Sequence, residues 1–383
     1  TTTNPIIIDD LNKLTEYNIK IYAIDNTGAK SNIYELNAST TDENGPVINS
    51  VEVSDVTTDS FTLLVNTTTD SEIRRYYYII ESDNISGTST VNSYTFYDLN
   101  YASSYSVSVF VEDINGNYSQ KYSIEVEIKL VSLANYIKNI YSSQENSNIY
   151  YHVSALPYGA LDNSYRYAGA NPNNYICFGS TVENCPTDNL YRIIGVFEDG
   201  IKIIKNTSLG NYRWSGASSN QTNIWSQSTL NTSTLNNTFY NGLDDSWKNL
   251  ILTHSWNVGG HYSYNSTSQE FYNSENSGTS YLAKIGLMYV SDYGYAAPPN
   301  YWTTSLGNYN SVSANNWMYT NSYEWTITPS ASNTNYAYSI ISGNISENPA
   351  YGFSYAVRPC FYLNSDVAYI SGDGSQENPF RID

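Results

Sequence analysis

Chemistry has few places to sit in a chain of 383 residues that holds only three histidines. His254 and His261 fall seven apart in "HSWNVGGH", which matches neither His-Glu-x-x-His nor the usual zinc spacings. With His152 far upstream, they read as core or loop histidines. No Gly-x-Ser-x-Gly elbow and no Gly-x4-Gly-Lys phosphate loop occurs. Asp244 and Asp245 suit the start of a helix, where carboxylates complement the dipole. Asp373, Ser375 and Glu377 alternate in "SGDGSQENPF", a spacing able to wrap calcium, but they fall short of a calcium loop's ligand count. A polar turn is the plainer reading. Glycoside hydrolysis needs two opposed carboxylates, and nothing in the chain selects a pair. These residues predict no catalytic group, no cofactor and no metal, hence no enzyme.

Cysteines and aromatics carry more. Cys177 and Cys185 bracket a short loop in "ICFGSTVENCPTDN" and can close a disulfide, the alternative being two free thiols. Cys360, within "VRPCFYLN", reads as a small buried hydrophobe. The composition holds 40 Tyr and 7 Trp against 17 Lys+Arg, amid abundant Asn, Ser and Thr. That palette suits adaptable binding surfaces and equally suits solvent-facing strands. Trp214 and Trp225 in "NYRWSGASSNQTNIWSQ", with Tyr301, Trp302 and Trp317 further on, are the candidate ligand-binding residues. The expected partner is a glycan or a protein; the competing reading is that these tryptophans fill a core. A net charge of −19 repels phosphate backbones and anionic membranes, which excludes nucleic-acid binding. No apolar run reaches the length of a membrane span. Few lysines, a possible disulfide and Asn-x-Ser/Thr triplets at Asn66, Asn84, Asn206 and Asn231 favour an extracellular setting.

The elements that must position these residues begin with a repeat. "LNKLTEYNIKIYAIDNTGAKS" from Leu11 aligns without gaps to "LNYASSYSVSVFVEDINGNYS" from Leu99, an offset of 88 residues. Tyr17 matches Tyr105, Asp25 matches Asp113 and Gly28 matches Gly116. Between Pro46 and Leu130 about seven strands follow one another with regular turn signals, the pattern of a β-sandwich. The Leu99-to-Tyr105 spacing is that of a tyrosine corner. These residues resemble the fibronectin type III family, a likeness that implies a sandwich and is silent on function. Residues 44–130 then form a complete repeat and residues 1–43 the late strands of another. Half a sandwich leaves an apolar face and a strand edge uncovered. The expectation is either that upstream strands are missing or that a neighbouring copy supplies them, the latter giving a homo-polymer through residues 1–43.

Leu133, Tyr136, Ile137, Ile140 and Tyr141 recur at helical spacing behind Ser132 as N-cap, so residues 131–145 are expected to be a helical connector. Residues 146–383 form the remaining domain. "YRIIGVFEDGIKIIKN" reads as a hairpin with Asp-Gly at its turn. Leu230, Leu235, Phe239, Leu243, Trp247 and Leu250 suggest a buried helical stripe. Strands, long polar loops and a helix or two indicate an α+β domain whose loops carry function. "NWMYTNSYEWTITPS", a turn near Gly343, and the strand at Arg358–Pro359 resemble the closing part of C-type lectin-like domains, the fold of formylglycine-generating enzymes. That resemblance implies a display fold without the family's chemistry. The oxidase members need a late reactive cysteine pair, where only Cys360 stands, and the sugar-binding calcium triplets do not occur.

The chain is therefore expected to be multidomain: all-β fibronectin type III-like repeats, then an α+β C-type lectin-like head. Its expected role is that of a non-enzymatic bacterial surface protein, adhesin-like. A filament or surface-layer subunit is the second reading and a carbohydrate-active enzyme the third.

Overall fold

The computed structural model describes residues 5–12, 15–40, 45–57, 59–100, 103–128, 130–143, 148–198, 200–216, 218 and 222–383. The chain divides into two compact units, Thr1–Leu130 and Val131–Asp383.

In the first unit, β1 (Glu16–Ile21) and β2 (Tyr34–Ser39) pair as an antiparallel hairpin with Glu16 opposite Ser39. Seven strands follow: β3 (Val47–Ser54), β4 (Phe61–Thr68), β5 (Ile73–Ile80), β6 (Ile85–Ser89), β7 (Ser93–Phe96), β8 (Ser104–Asp113) and β9 (Tyr122–Glu127). They form one sheet in the order β3-β4-β7 and another in the order β6-β5-β8-β9. Alternation sets the packing, because successive side chains on a strand face opposite ways. Phe61, Leu63 and Val65 of β4, and Tyr105, Val107, Val109 and Val111 of β8, are all buried in one core. This is the two-sheet β-sandwich that the fibronectin type III resemblance implies.

The repeat is built from the same bonds twice. The Tyr105 hydroxyl accepts from Asn100 N at 2.7 Å, and the Tyr17 hydroxyl accepts from Asn12 N at 2.8 Å. Asp113 Oδ1 accepts from the amides of Asn115 and Asn117, as Asp25 Oδ1 does from Thr27 and Ala29. Gly116 and Gly28 hold φ of +85° and +88°, a left-handed turn conformation that glycine adopts without strain. The earlier segment leaves apolar side chains in solvent: Ile6 is 58% exposed, Ile7 79% and Tyr34 66%. Residues 1–4, 13–14 and 41–43, part of the segment expected to polymerise, lie outside the described residues.

The second unit opens with α1 (Leu133–Ser143), whose first turn donates from Asn135 N to Ser132 Oγ. Its Leu133, Ala134 and Ile137 enter the second unit's core, and Tyr136 stacks on Tyr369 at 3.8 Å. The segment expected as a connector is thus an integral part of this unit. Then come β10 (Ile149–Tyr151), β11 (Tyr165–Tyr167), β12 (Tyr175–Cys177), β13 (Leu190–Phe197), β14 (Gly200–Lys205) and β15 (Asn211–Tyr212). A π-helical stretch, Leu230–Phe239, and α2 (Asp245–Asn249) occupy the expected helical region, with Leu230 and Leu235 buried. Next are β16 (His254–Asn257), α3 (Ser268–Glu275), β17 (Ser280–Ala283), β18 (Ile285–Gly286) and α4 (Val290–Tyr295). The chain ends with β19 (Glu324–Pro329), β20 (Tyr336–Ile341), β21 (Asn344–Pro349), β22 (Tyr355–Ala356), β23 (Cys360–Leu363), β24 (Tyr369–Ser371) and β25 (Arg381–Ile382).

A seven-stranded sheet runs β10-β11-β13-β14-β23-β18, with β12 also on β13, and a five-stranded sheet runs β15-β22-β19-β20-β21. The predicted hairpin is β13–β14, with Phe197 opposite Gly200. Cys177 and Cys185 form a disulfide, tying the end of β12 to the loop that leads to β13. Cys360 is a buried free cysteine whose thiol burial pushes up to about 12, the inert state expected of it.

Candidate functional site

The predicted aromatic site does not assemble. Trp214, Trp225, Trp302 and Trp317 are all buried, and this corrects the reading that they face a ligand. The physical reason lies in their polar edges. Trp214 Nε1 donates to Thr326 O at 2.9 Å, Trp302 Nε1 to Ala297 O at 2.7 Å and Trp317 Nε1 to Tyr167 O at 2.8 Å. With the indole N–H satisfied by backbone, the whole ring can be buried as apolar area. Tyr301 alone of the five is half-exposed, its hydroxyl accepting from Asn315 Nδ2 at 3.2 Å. Part of the loop that carries Trp214 and Trp225, residues 217 and 219–221, lies outside the described residues. The surface aromatics of this unit sit elsewhere. Phe353 and Tyr323, both about half exposed, flank Tyr355 beside Ser208, Asn211 and Ser354 in an open groove.

Asp373 also resolves into a turn. Its Oδ1 accepts from Ser375 N at 2.9 Å, and its own N–H donates to Asn378 O at 3.0 Å. Among the described residues, no group of three or more His, Cys, Asp or Glu is placed to hold a metal.

A different place gathers charge. A cleft of about 310 Å³ is lined by side chains from β11, β13, β14, β16, α3, α4 and β23, among them Arg166, Lys202, Tyr272, Glu275, Tyr289 and Asp292. That volume is at the small end for a ligand site. Asp292 stands at its floor, fully buried, and joins two cations: Lys202 Nζ at 2.6 Å from Oδ2 and Arg166 at 3.2 Å from Oδ1. Arg166 also meets Asp162 at 2.5 Å, and its Nε donates to Ser164 Oγ at 2.8 Å. Asp292 Oδ2 further accepts from Tyr289 N at 2.9 Å, fixing the start of α4. The Lys202 ammonium lies 4.2 Å from the Tyr289 ring centre and 5.4 Å from that of Tyr362, so aromatic faces hold it as well. Burial works against the charge on Lys202, but Asp292 carries its pKa upward; likewise Arg166 outweighs burial to hold Asp162 down at about 2.

Glu275, the last residue of α3, differs. Its Oε1 accepts from Val290 N at 3.0 Å, Ser291 N at 3.4 Å and Thr328 Oγ1 at 2.5 Å. Its Oε2, buried and lining the cleft, accepts no hydrogen bond from any described residue, and the buried Tyr289 hydroxyl on the same cleft has none either. Burial is the main cause that raises the Glu275 carboxyl to about 7, with Asp292 adding to it.

No family model matches this sequence, and no curated protein matches it. Solved structures do align. Rat CD45 extracellular domains d3–d4 are 16% identical over 33% of this chain and 70% of theirs, with a TM-score of 0.26. A two-domain fibronectin type III segment of chicken tenascin is 19% identical over 31% and 67%, with a TM-score of 0.22. Chitinase ChiA74 from Bacillus thuringiensis is 12% identical, over 47% of this chain and 19% of its own, at 0.22. Scores this low carry no argument about the chain, whose sandwich rests on its own strand order.

The cleft residues escape sequence reasoning because no spacing joins them. Asp292 is 126 residues from Arg166 and 90 from Lys202. One signal was available: Lys202 interrupts the otherwise apolar "GIKIIK", and every residue of that strand is buried. A lysine in such a strand requires a buried partner. The Arg358 of the closing strand shows the same need, its Nε donating to buried Glu324 at 2.6 Å.

Proposed function

We propose that this protein is a non-enzymatic extracellular binding protein, in which β-sandwich repeats act as a spacer and the second unit, a C-type lectin-like head, takes a small polar ligand in the cleft. One observation carries this reading: Glu275 Oε2 and the Tyr289 hydroxyl, both buried and both without a partner among the described residues, line the same cavity. A buried polar atom left unsatisfied costs free energy that a ligand group can recover. The disulfide supports the extracellular setting, and no described helix is long and apolar enough to cross a membrane.

A screen of the full chain against glycans and small metabolites tests this, with Glu275→Gln and Tyr289→Phe beside it. Ligands that bind the parent chain and lose affinity in both variants support the reading. Ligands bound equally by all three chains, or hydrolysed by the parent and not by Glu275→Gln, would overturn it. A filament or surface-layer subunit is a second reading, favoured by the exposed Ile6, Ile7, Ile8 and Tyr34 of the first unit.

A further inference from the structure

We propose that the cleft takes a primary ammonium group, seated between Glu275 Oε2 and the Tyr289 hydroxyl. The inference rests on the binding reading above and names the chemistry of its ligand.

The charges lining the cleft decide the sign. Four carboxylates line it, Asp162, Glu198, Glu275 and Asp292, against two permanent cations, Arg166 and Lys202. Arg166 is engaged by Asp162 and Asp292, and Lys202 by Asp292. Once these pairs are made, the charge left facing the cavity is negative and belongs to Glu275 and Glu198. An anion entering there meets repulsion from both. A neutral hydroxyl leaves a Glu275 carboxylate uncompensated in a site that excludes water. An ammonium neutralises it and offers a donor to each of the two unpartnered oxygens. The aromatic wall suits the same guest, since the chain's own Lys202 ammonium already lies against Tyr289 and Tyr362.

Proton linkage follows. Glu275 on α3 shares the cleft with Tyr272 of its own helix, with Asp292 and Tyr289 at α4, and with Arg166, Lys202, Glu198, His254 and Tyr362 from the strands and their turns. Its carboxyl sits at about 7 and must be ionised to hold an ammonium. Below that pH, binding displaces one proton, and affinity climbs about tenfold per unit as pH rises. Above it, affinity levels off.

Calorimetric titration of the full chain with n-butylamine, n-butanol and butyrate between pH 5 and 9 tests the proposal. The expected result is that n-butylamine binds at least about tenfold more tightly than n-butanol at pH 8, with the pH profile above. Glu275→Gln, which keeps an acceptor for Val290, Ser291 and Thr328, is expected to abolish both the preference and the pH dependence. Tyr289→Phe is expected to weaken amine binding several-fold and keep the pH dependence, so it carries the test should the first variant not fold. Nα-acetyl-lysine amide and glucosamine then tell a peptide source of the amine from an amino-sugar source. n-Butanol or butyrate bound as well as the amine, and weakened by the variants, would overturn the ammonium and leave the cleft as a binding site. Probes unaffected by either variant would overturn both.

Discussion

At the residue scale, the buried acids make opposite claims on pH. Glu275 has its folded pKa raised from an ordinary 4.5 to about 7, so the native state holds the extra proton between those values. Its contribution is therefore fully present below pH 4.5 and is lost as pH rises through 7, a swing of about 3 kcal/mol. Denaturant unfolding of the parent chain and Glu275→Gln at pH 5 and pH 8 reads this directly: the variant is expected to gain on the parent as pH rises. Asp292 serves two buried cations at once. Asp292→Asn strands both, and a loss of about 3–5 kcal/mol in the second unit's unfolding free energy is expected. Neither role was legible in the sequence, where Asp292 is one polar letter in "MYVSDYGYA". The tryptophans misled for a related reason. Asn- and Ser-rich flanks look like a binding loop, yet backbone carbonyls satisfy the indoles of Trp214, Trp302 and Trp317 inside the core.

At the element scale the sequence was a better guide, because the information is local. Period-2 alternation located β4 and β8, and the 88-residue offset placed Asn12, Tyr17, Asp25 and Gly28 on the same bonds as Asn100, Tyr105, Asp113 and Gly116. Tyr105 is buried, so Tyr105→Phe is expected to cost the first unit about 1 kcal/mol, checked by urea unfolding. The half-exposed Tyr17 is expected to cost less. The Cys177–Cys185 bridge closes a loop with a sequence separation of 8. Replacing both cysteines by serine is expected to cost about 2–3 kcal/mol, seen as a lower melting point. The element least legible was α1. Its helical period was plain, but nothing local says that Leu133 and Ile137 pack into the second unit.

At the scale of the whole molecule, the two units hold separate hydrophobic cores. Calorimetric melting is expected to resolve two transitions, with Tyr105→Phe lowering one and loss of the disulfide lowering the other. Sedimentation across concentration separates the spacer-and-head reading from the filament reading. Species that stay monomeric fit the former, and ordered polymers lost on replacing Ile6, Ile7 and Ile8 by serine fit the latter. The claim on which the account turns is smaller than either unit: that the cleft presents one buried carboxylate in want of a partner. It is tested most directly by titrating the 13C signal of the Glu275 carboxyl in the full chain, without and with n-butylamine. The account predicts a midpoint near 7 that is missing in Glu275→Gln and moves down when the amine is present; a midpoint near 4.5 that the amine leaves unmoved would contradict it.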